Sequence, residues 1–320
     1  MKKITYFTAA VLCAALLTSC AGKKENEKVE GANQSAIEEA IKQEQTVITN
    51  FDFIPAEYRR PVKEGGGRIE QITYASKRYY GDGSDNEKRA NVYLPEGYNA
   101  EDKAKRYGVL YLMHGIGGNE NEWGMNNNDS LIKKIMDNLT QKGEIEPFII
   151  VTPNGRSGSD PNPQKAYLAF YKFGEELRND LIPYMDSHYN TIADRNHRAM
   201  AGLSMGGMQT INIGICESLD LISWFGAFSA APTSYDASRV ATHVDSNPEY
   251  PVNFFYNICG TEDSIAFASH VNAAKLIPRL STSLKENENF LWYETSGGHD
   301  FGIWNLGFYN FAKIFGEGLR

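Results

Sequence analysis

Cysteine is scarce in this chain: there are 4 in 320 residues, with no C-x-x-C pair and no zinc-type spacing. A disulfide scaffold and a zinc module are therefore set aside. Basic residues are in deficit, 32 Lys and Arg against 40 Asp and Glu, for a formal charge of −8. With no basic cluster, DNA, RNA and other polyanions are poor partners. There is no internal repeat, and no apolar run long enough to span a bilayer. Apolar and aromatic residues are plentiful: 42% of the chain is hydrophobic, with 18 Tyr, 16 Phe and 4 Trp. That supply builds a sizeable core and excludes wholesale disorder, a collagen-like helix or a coiled coil.

The longest apolar run, Ile4 to Leu17, follows Lys2 and Lys3 and ends in Thr18-Ser19-Cys20. A basic start and an h-region of this length predict a secretory signal over 1–19. The ending Leu17-Thr18-Ser19-Cys20 resembles a bacterial lipoprotein box, in which cleavage leaves Cys20 as a lipidated first residue. Loss of 1–19 removes two lysines and no acid, so the charge of −8 becomes −10. The expected protein is exported and tethered to a membrane, at the outer membrane or cell surface. Residues 20–46 hold no aromatic and are crowded with Lys, Glu, Gln and Asn, the composition of a solvated tether. Ser35 and Glu38 form a capping-box pattern, predicting a short helix near 36–45. The folded domain is expected over 47–320. Cys216 and Cys259 sit in apolar stretches and read as buried free thiols.

Residues 68–80 and 88–95 alternate and are β-prone, and the polar segment 81–86 between them predicts a hairpin. That segment lacks the Gly and closing Glu of a calcium loop, so no metal is assigned to it. Beyond it, short apolar runs at 109–113, 148–151, 199–203, 222–228, 254–258 and 290–293 predict strands. Helical patterns fall between them near 129–141, 166–188, 206–217, 264–279 and 302–315. Continuous apolar strands alternating with helices predict an α/β fold, a mostly parallel sheet covered on both faces after an antiparallel hairpin.

Gly202-Leu203-Ser204-Met205-Gly206 is the chain's G-x-S-x-G, set between an apolar run and a helical pattern, as a nucleophile elbow requires. A serine hydroxyl needs a base, and in the α/β-hydrolase chain order an acid and then a histidine follow it. His243, His270 and His299 lie after Ser204. His243 is in a polar stretch and His270 is inside a predicted helix. His299, preceded by Gly297-Gly298, has the loop setting of the base. The acid is Asp263 or Glu262, after the strand at 254–258; Asp263 is preferred, although it is also placed to cap the helix that follows. Oxyanion donors are expected from the N–H groups of Ile116, in the loop His114-Gly115-Ile116-Gly117-Gly118, and of Met205. His114 reads as a structural hydrogen-bonder.

The segments Tyr111–Trp123, Arg198–Gly207, Phe225–Pro232, Cys259–Ser264 and Gly298–Trp304 resemble those of the feruloyl esterases of carbohydrate esterase family one. The likeness runs from about residue 65 to the C-terminus and is greatest to the esterase modules attached to bacterial xylanases. It implies an α/β-hydrolase fold and a triad of Ser204, Asp263 and His299. It also implies hydrolysis of hydroxycinnamoyl esters on the arabinose side chains of xylan, through an acyl-serine and without metal or other cofactor. Acetylxylan esterases, S-formylglutathione hydrolases, siderophore esterases and mycolyltransferases share the superfamily, so the acyl group is less constrained than the mechanism.

An aromatic acid needs a slot with apolar walls. Trp123 and Trp304 flank the catalytic motifs, and Tyr167, Phe170 and Tyr171 form an aromatic-rich segment, all of them candidates to stack on a feruloyl ring or a sugar. Feruloylated arabinoxylan, or xylo-oligosaccharides bearing the same ester, is the expected partner. An acetylxylan or other carbohydrate O-acyl esterase of the same mechanism is the alternative. A catalytically silent carbohydrate-binding lipoprotein is the reading from another class.

Overall fold

The structure, a computed structural model, describes residues 50–160 and 162–320. The expected signal and tether, the helix predicted near 36–45 and Cys20 lie outside the described residues. The compact unit they precede spans Phe51–Arg320.

Eight strands form one sheet in the order β1-β2-β4-β3-β5-β6-β7-β8. β1 (Arg68–Lys77) and β2 (Asp85–Leu94) are an antiparallel hairpin. β2 also pairs antiparallel with β4 (Phe148–Pro153). β3 (Gly108–Met113), β4, β5 (Arg198–Leu203), β6 (Trp224–Phe228), β7 (Phe254–Gly260) and β8 (Phe290–Thr295) run parallel. The expected α/β architecture is thus observed. β3 through β7 are buried at every position, which is why they read as unbroken apolar runs. β1 alternates exposed and buried residues because only one of its faces is covered.

The hairpin differs from expectation at its tip. Its ladder runs to the pair Lys77↔Asp85, closed by a 2.6 Å ion pair, so Asp85 and Asn86, expected in the turn, belong to β2, and β1 ends at Lys77 rather than at 80. The reversal is made by Gly83, at φ +72°, and by Asp82, whose carboxylate accepts the Ser84 N–H at 3.1 Å.

The helices are more broken than periodicity suggests. The span expected at 166–188 is a 3-10 segment (Pro163–Lys172), an α turn (Phe173–Glu176), a π turn (Leu177–Leu181) and a helix (Ile182–His188) with Pro183 in its first turn. The span 206–217 is a short helix, Met205–Gln209, running into a π turn, Thr210–Ile215. The span 264–279 is likewise divided, Phe267–His270, Val271–Lys275 and Ile277–Leu280. Leu131–Gln141 and Phe301–Gly318 match their patterns closely. Ala237–Asp245 is an additional helix, started by Asp236, which accepts the Arg239 N–H at 3.0 Å.

The domain begins with a strap on the C-terminal helix. Phe51 exchanges two hydrogen bonds with the Asn310 side chain, at 2.9 and 3.0 Å, and its ring meets Tyr309 edge-on. Because β3 pairs with β4 on one side and β5 on the other, the chain reverses direction across the sheet at β3. The carboxyl ends of strands at such a switch point are where ligands bind in open α/β sheets.

Candidate active site

Ser204 leaves β5 at φ 51° and ψ −113° and starts the helix Met205–Gln209. A non-glycine residue there costs about 1–3 kcal/mol and persists only where its surroundings over-determine it. They do so here. The Ser204 N–H donates to the Phe228 carbonyl at 2.9 Å, and the Ser204 carbonyl accepts from Ala231 N at 2.9 Å and Met208 N at 3.0 Å. Gly202 and Gly206 are obligatory: a Cβ on Gly202 would lie 2.6 Å from the Gly206 carbonyl carbon, and one on Gly206 would lie 2.6 Å from the Met113 oxygen.

β7 and β8 bring two further groups to the same end of the sheet. His299 Nε2 is 3.0 Å from Ser204 Oγ, and His299 Nδ1 is 2.7 Å from Asp263 Oδ2. Asp263 Oδ1 is occupied by the N–H groups of Ile265 (3.0 Å) and Ala266 (2.7 Å), so one carboxylate both starts the following turn and orients the imidazole. Burial works to raise the Asp263 carboxyl, yet the Ala266 N–H, the His299 ring and the Ser229 hydroxyl hold it below the ordinary carboxylate range. It is an anion at neutral pH. Glu262, the alternative acid, points elsewhere: it accepts Gly297 N at 2.5 Å and Ser296 Oγ at 3.0 Å, pinning the histidine loop from outside.

The loop after β3 lies beside the nucleophile, since a Cβ on Gly115 would be 3.5 Å from Ser204 Cβ. His114 Nε2 accepts the Gly155 N–H at 2.9 Å, so its proton is on Nδ1, which donates to the Gly115 carbonyl at 2.7 Å. Burial pushes the ring down to about 4, keeping it neutral in this bridging role. The Gly118 N–H donates to the same carbonyl at 3.2 Å. In a trans peptide the N–H opposes the C=O, so these two donors also fix the direction of the Ile116 N–H. Among the described residues that N–H has no protein acceptor. Met205 is the first residue of its helix, where N–H groups have no intrahelical partner and favour negative charge.

Two of the expected stacking platforms are not platforms. Trp123 is 4% exposed, donates its indole N–H to the Met113 carbonyl at 3.1 Å, and is packed by Phe228, Phe301 and Phe308. Trp304 is 8% exposed and stands edge-on to the His299 ring, centroids 5.0 Å apart, bracing it from below. Tyr167 remains partly open to solvent, its ring edge-on to Tyr171. Phe170 is buried with Met205, Met208 and Ala231, and Tyr171 packs on that cluster. The open apolar side chains include Ile116 and Ile265, on the loops after β3 and β7, and Phe301, at the start of the C-terminal helix after β8.

Sequence reasoning missed two supports. His270 accepts the Ala230 N–H through Nδ1 at 3.0 Å and reaches Asn257 Oδ1 through Nε2 at 3.1 Å, burial driving its pKa down to about 3. It thereby holds the segment whose Ala231 N–H binds the Ser204 carbonyl. Ser229, at φ 47°, reaches Asp263 from the end of β6. A helix histidine and a lone serine carry no motif, so only the fold exposes them. Cys216 and Cys259 are free thiols, Cys259 buried 3.9 Å from Asp263 Oδ2. Among the described residues no group of three or more His, Cys, Asp or Glu side chains is placed to hold a metal ion.

A serine elbow, a histidine and a carboxylate in hydrogen-bonded line at the switch point of a mostly parallel sheet define the α/β-hydrolase class. The chain belongs to the esterase family described as "Putative esterase", whose model matches residues 83–309. It is 40% identical over 155 residues to an endo-1,4-beta-xylanase/feruloyl esterase of Xylanibacter ruminicola, covering 48% of this chain and 20% of that protein. It is 30% identical over 262 residues to endo-1,4-beta-xylanase Y of Acetivibrio thermocellus, covering 76% of this chain and 22% of that protein. The chain thus spans about a fifth of the length of these curated relatives. Among solved structures it is similar to a CE1 ferulic acid esterase of Anaeromyces mucronatus, seen with and without ferulic acid, at TM-score 0.70 and 27% identity over 85% of this chain and 99% of that one. The feruloyl esterase module of Clostridium thermocellum, complexed with sinapinate, matches at TM-score 0.69 and 27% identity over 85% and 95%.

Proposed function

We propose that this protein is a serine carboxylesterase releasing ferulate, or a related hydroxycinnamate, from feruloylated arabinoxylan or xylo-oligosaccharides. The observation that carries the chemistry is the line from Ser204 Oγ through His299 to Asp263. Neutral His299 accepts the Ser204 proton at Nε2 as Oγ attacks the ester carbonyl, and Asp263 stabilises the imidazolium. The N–H groups of Ile116 and Met205 bind the oxyanion of the tetrahedral intermediate. Collapse breaks the bond to the sugar oxygen, which takes the proton from His299 and leaves an acyl-serine. Water, deprotonated by His299, then releases the acid and restores Ser204. The ferulate assignment is supported by the likeness to feruloyl esterases and by the apolar groups on the surrounding loops.

The test compares kcat/KM on methyl ferulate and on p-nitrophenyl acetate, and measures ferulate release from feruloylated arabinoxylan. Ferulate release that disappears in Ser204→Ala is expected. Acetate turnover without ferulate release would move the substrate to acetylated xylan. A parent protein that binds xylan but hydrolyses nothing would make it a binding protein.

We also propose that residues 1–19 are a signal, that Cys20 is lipidated, and that 20–46 tether the esterase domain, 47–320, to the membrane. This rests on the pattern of the first 46 residues alone. A Cys20→Ala precursor should leave the membrane fraction after export; unchanged fractionation would reject the anchor.

A further inference from the structure

We propose that Arg156 is a positioning residue for the oxyanion loop, holding the peptide beyond Ile116 so that the Ile116 N–H stays aimed at the reacting carbonyl; this rests on the serine-esterase reading. Ile116 lies between two peptide planes. The plane before it is held through the Gly115 carbonyl by His114 and the Gly118 N–H. The plane after it is held by Arg156, whose Nη2 donates to the Ile116 carbonyl while Nη1 donates to the Gly118 carbonyl at 2.7 Å. With both planes fixed, so are the two dihedrals of Ile116.

Among the described residues the Ile116 carbonyl accepts from no other group. The Ile116 side chain is 56% exposed, and a Cβ on Gly117 would meet no atom within 4 Å. From the other flank Glu122 accepts the Gly115 N–H at 2.6 Å, and the Asn91 and Thr152 side chains donate to the Glu120 carbonyl, each at 2.9 Å. The loop is therefore anchored at both ends, and its apex is held by the 115–118 turn bond together with one guanidinium.

Arg156 is itself anchored. Its guanidinium lies over the Phe170 ring, 4.7 Å from the centroid. Its own carbonyl and that of Asn154 accept from Lys88 Nζ at 2.6 and 2.8 Å. A planar fork spans two carbonyls at once, which an ammonium cannot do with the same geometry.

The experiment measures kcat and KM on p-nitrophenyl acetate, a substrate independent of the ferulate assignment, for the parent, Arg156→Ala, Arg156→Lys and Ser204→Ala. Arg156→Ala should lose about ten- to a hundredfold in kcat, with KM changed less than about twofold, because the lost group acts on the transition state. Arg156→Lys should recover only part of the loss. Methylguanidine added to Arg156→Ala should restore turnover, and should do nothing for Ser204→Ala. A purely structural role would lower the active fraction without rescue. Unchanged kcat in a folded Arg156→Ala, or loss with no response to methylguanidine, overturns the inference. Should Arg156→Ala not fold, Arg156→Lys with parental kcat overturns it as well. Full turnover in Ser204→Ala would instead sink the serine-esterase reading.

Discussion

Lys88 and Glu176 form a 3.0 Å ion pair with both side chains out of water, directly beneath the segment that carries Gly155 and Arg156. Glu176 also accepts from Tyr74 Oη at 2.6 Å and Ser157 Oγ at 2.5 Å, so both of its oxygens are hydrogen-bonded. Burial drives the carboxyl up and the ammonium down; the partners oppose both shifts without cancelling them. Removing one member strands the other. Lys88→Met should cost about 3–5 kcal/mol. The double variant Lys88→Met with Glu176→Leu should recover most of it. Urea unfolding of the three proteins checks this; a double variant as unstable as the single would show that packing, not charge, dominates.

The assignment of the acid is open to direct test. Asp263→Asn should lower kcat by about 10³–10⁴, because the amide cannot hold the imidazole in the productive tautomer. Glu262→Gln removes the charge from an acceptor of the Gly297 N–H and Ser296 Oγ and should cost less than about tenfold. Equal losses in the two variants would contradict the separation of roles read from their geometry.

Ser204 should be a site where stability and turnover oppose each other. Its φ of 51° suits glycine better than serine. Ser204→Gly should therefore abolish hydrolysis and yet raise stability by about 1 kcal/mol, read as a higher midpoint in thermal or urea unfolding. A destabilised Ser204→Gly protein would mean that the elbow is not strained.

The two buried histidines predict acid sensitivity. His114 and His270 have folded-state pKa values near 4 and near 3, below the ordinary value of 6.5. Between those limits the unfolded chain binds protons that the folded chain refuses, so stability present near neutral pH is lost as pH falls below about 6.5. Each histidine contributes a slope of up to ~1.4 kcal/mol per pH unit. Urea midpoints measured between about pH 7 and 4 should decline accordingly. His270→Gln, which keeps an acceptor and a donor, should flatten the decline.

What the sequence discloses here and what it withholds divide along a physical line. Ser204, His299 and Asp263 each sit in a short local pattern of glycines, strand and turn, and a local pattern survives reading in one dimension. The parallel sheet was legible for the same reason, because strands buried on both faces are unbroken apolar runs. Whether Trp123 and Trp304 face solvent depends on how the C-terminal helix, which carries Trp304, packs against the loop that carries Trp123, and no local pattern records that. Arg156 reaches Ile116 across 40 positions, and His270 reaches Ala230 across 40. Such contacts are made by the fold and leave no spacing to recognise. The breaks in the helices leave no mark in the sequence pattern because a π or 3-10 turn changes which carbonyl each N–H reaches while the apolar face continues.

Met113, the last residue of β3, receives the Trp123 indole N–H on its carbonyl, and that same oxygen forbids a side chain on Gly206. Its own Cβ stands 2.8 Å from where a Cβ on Gly202 would lie, and its terminal Cε reaches within 3.1 Å of the corresponding position on Gly155. Four positions scattered over nearly a hundred residues therefore share one small volume. In a combinatorial library they would not behave as independent choices: a substitution tolerated at 113 alone would alter which ones are tolerated at 155, 202 and 206. Redesign for a different acyl group has room at the loop positions 116 and 265. At the base of the elbow it has almost none.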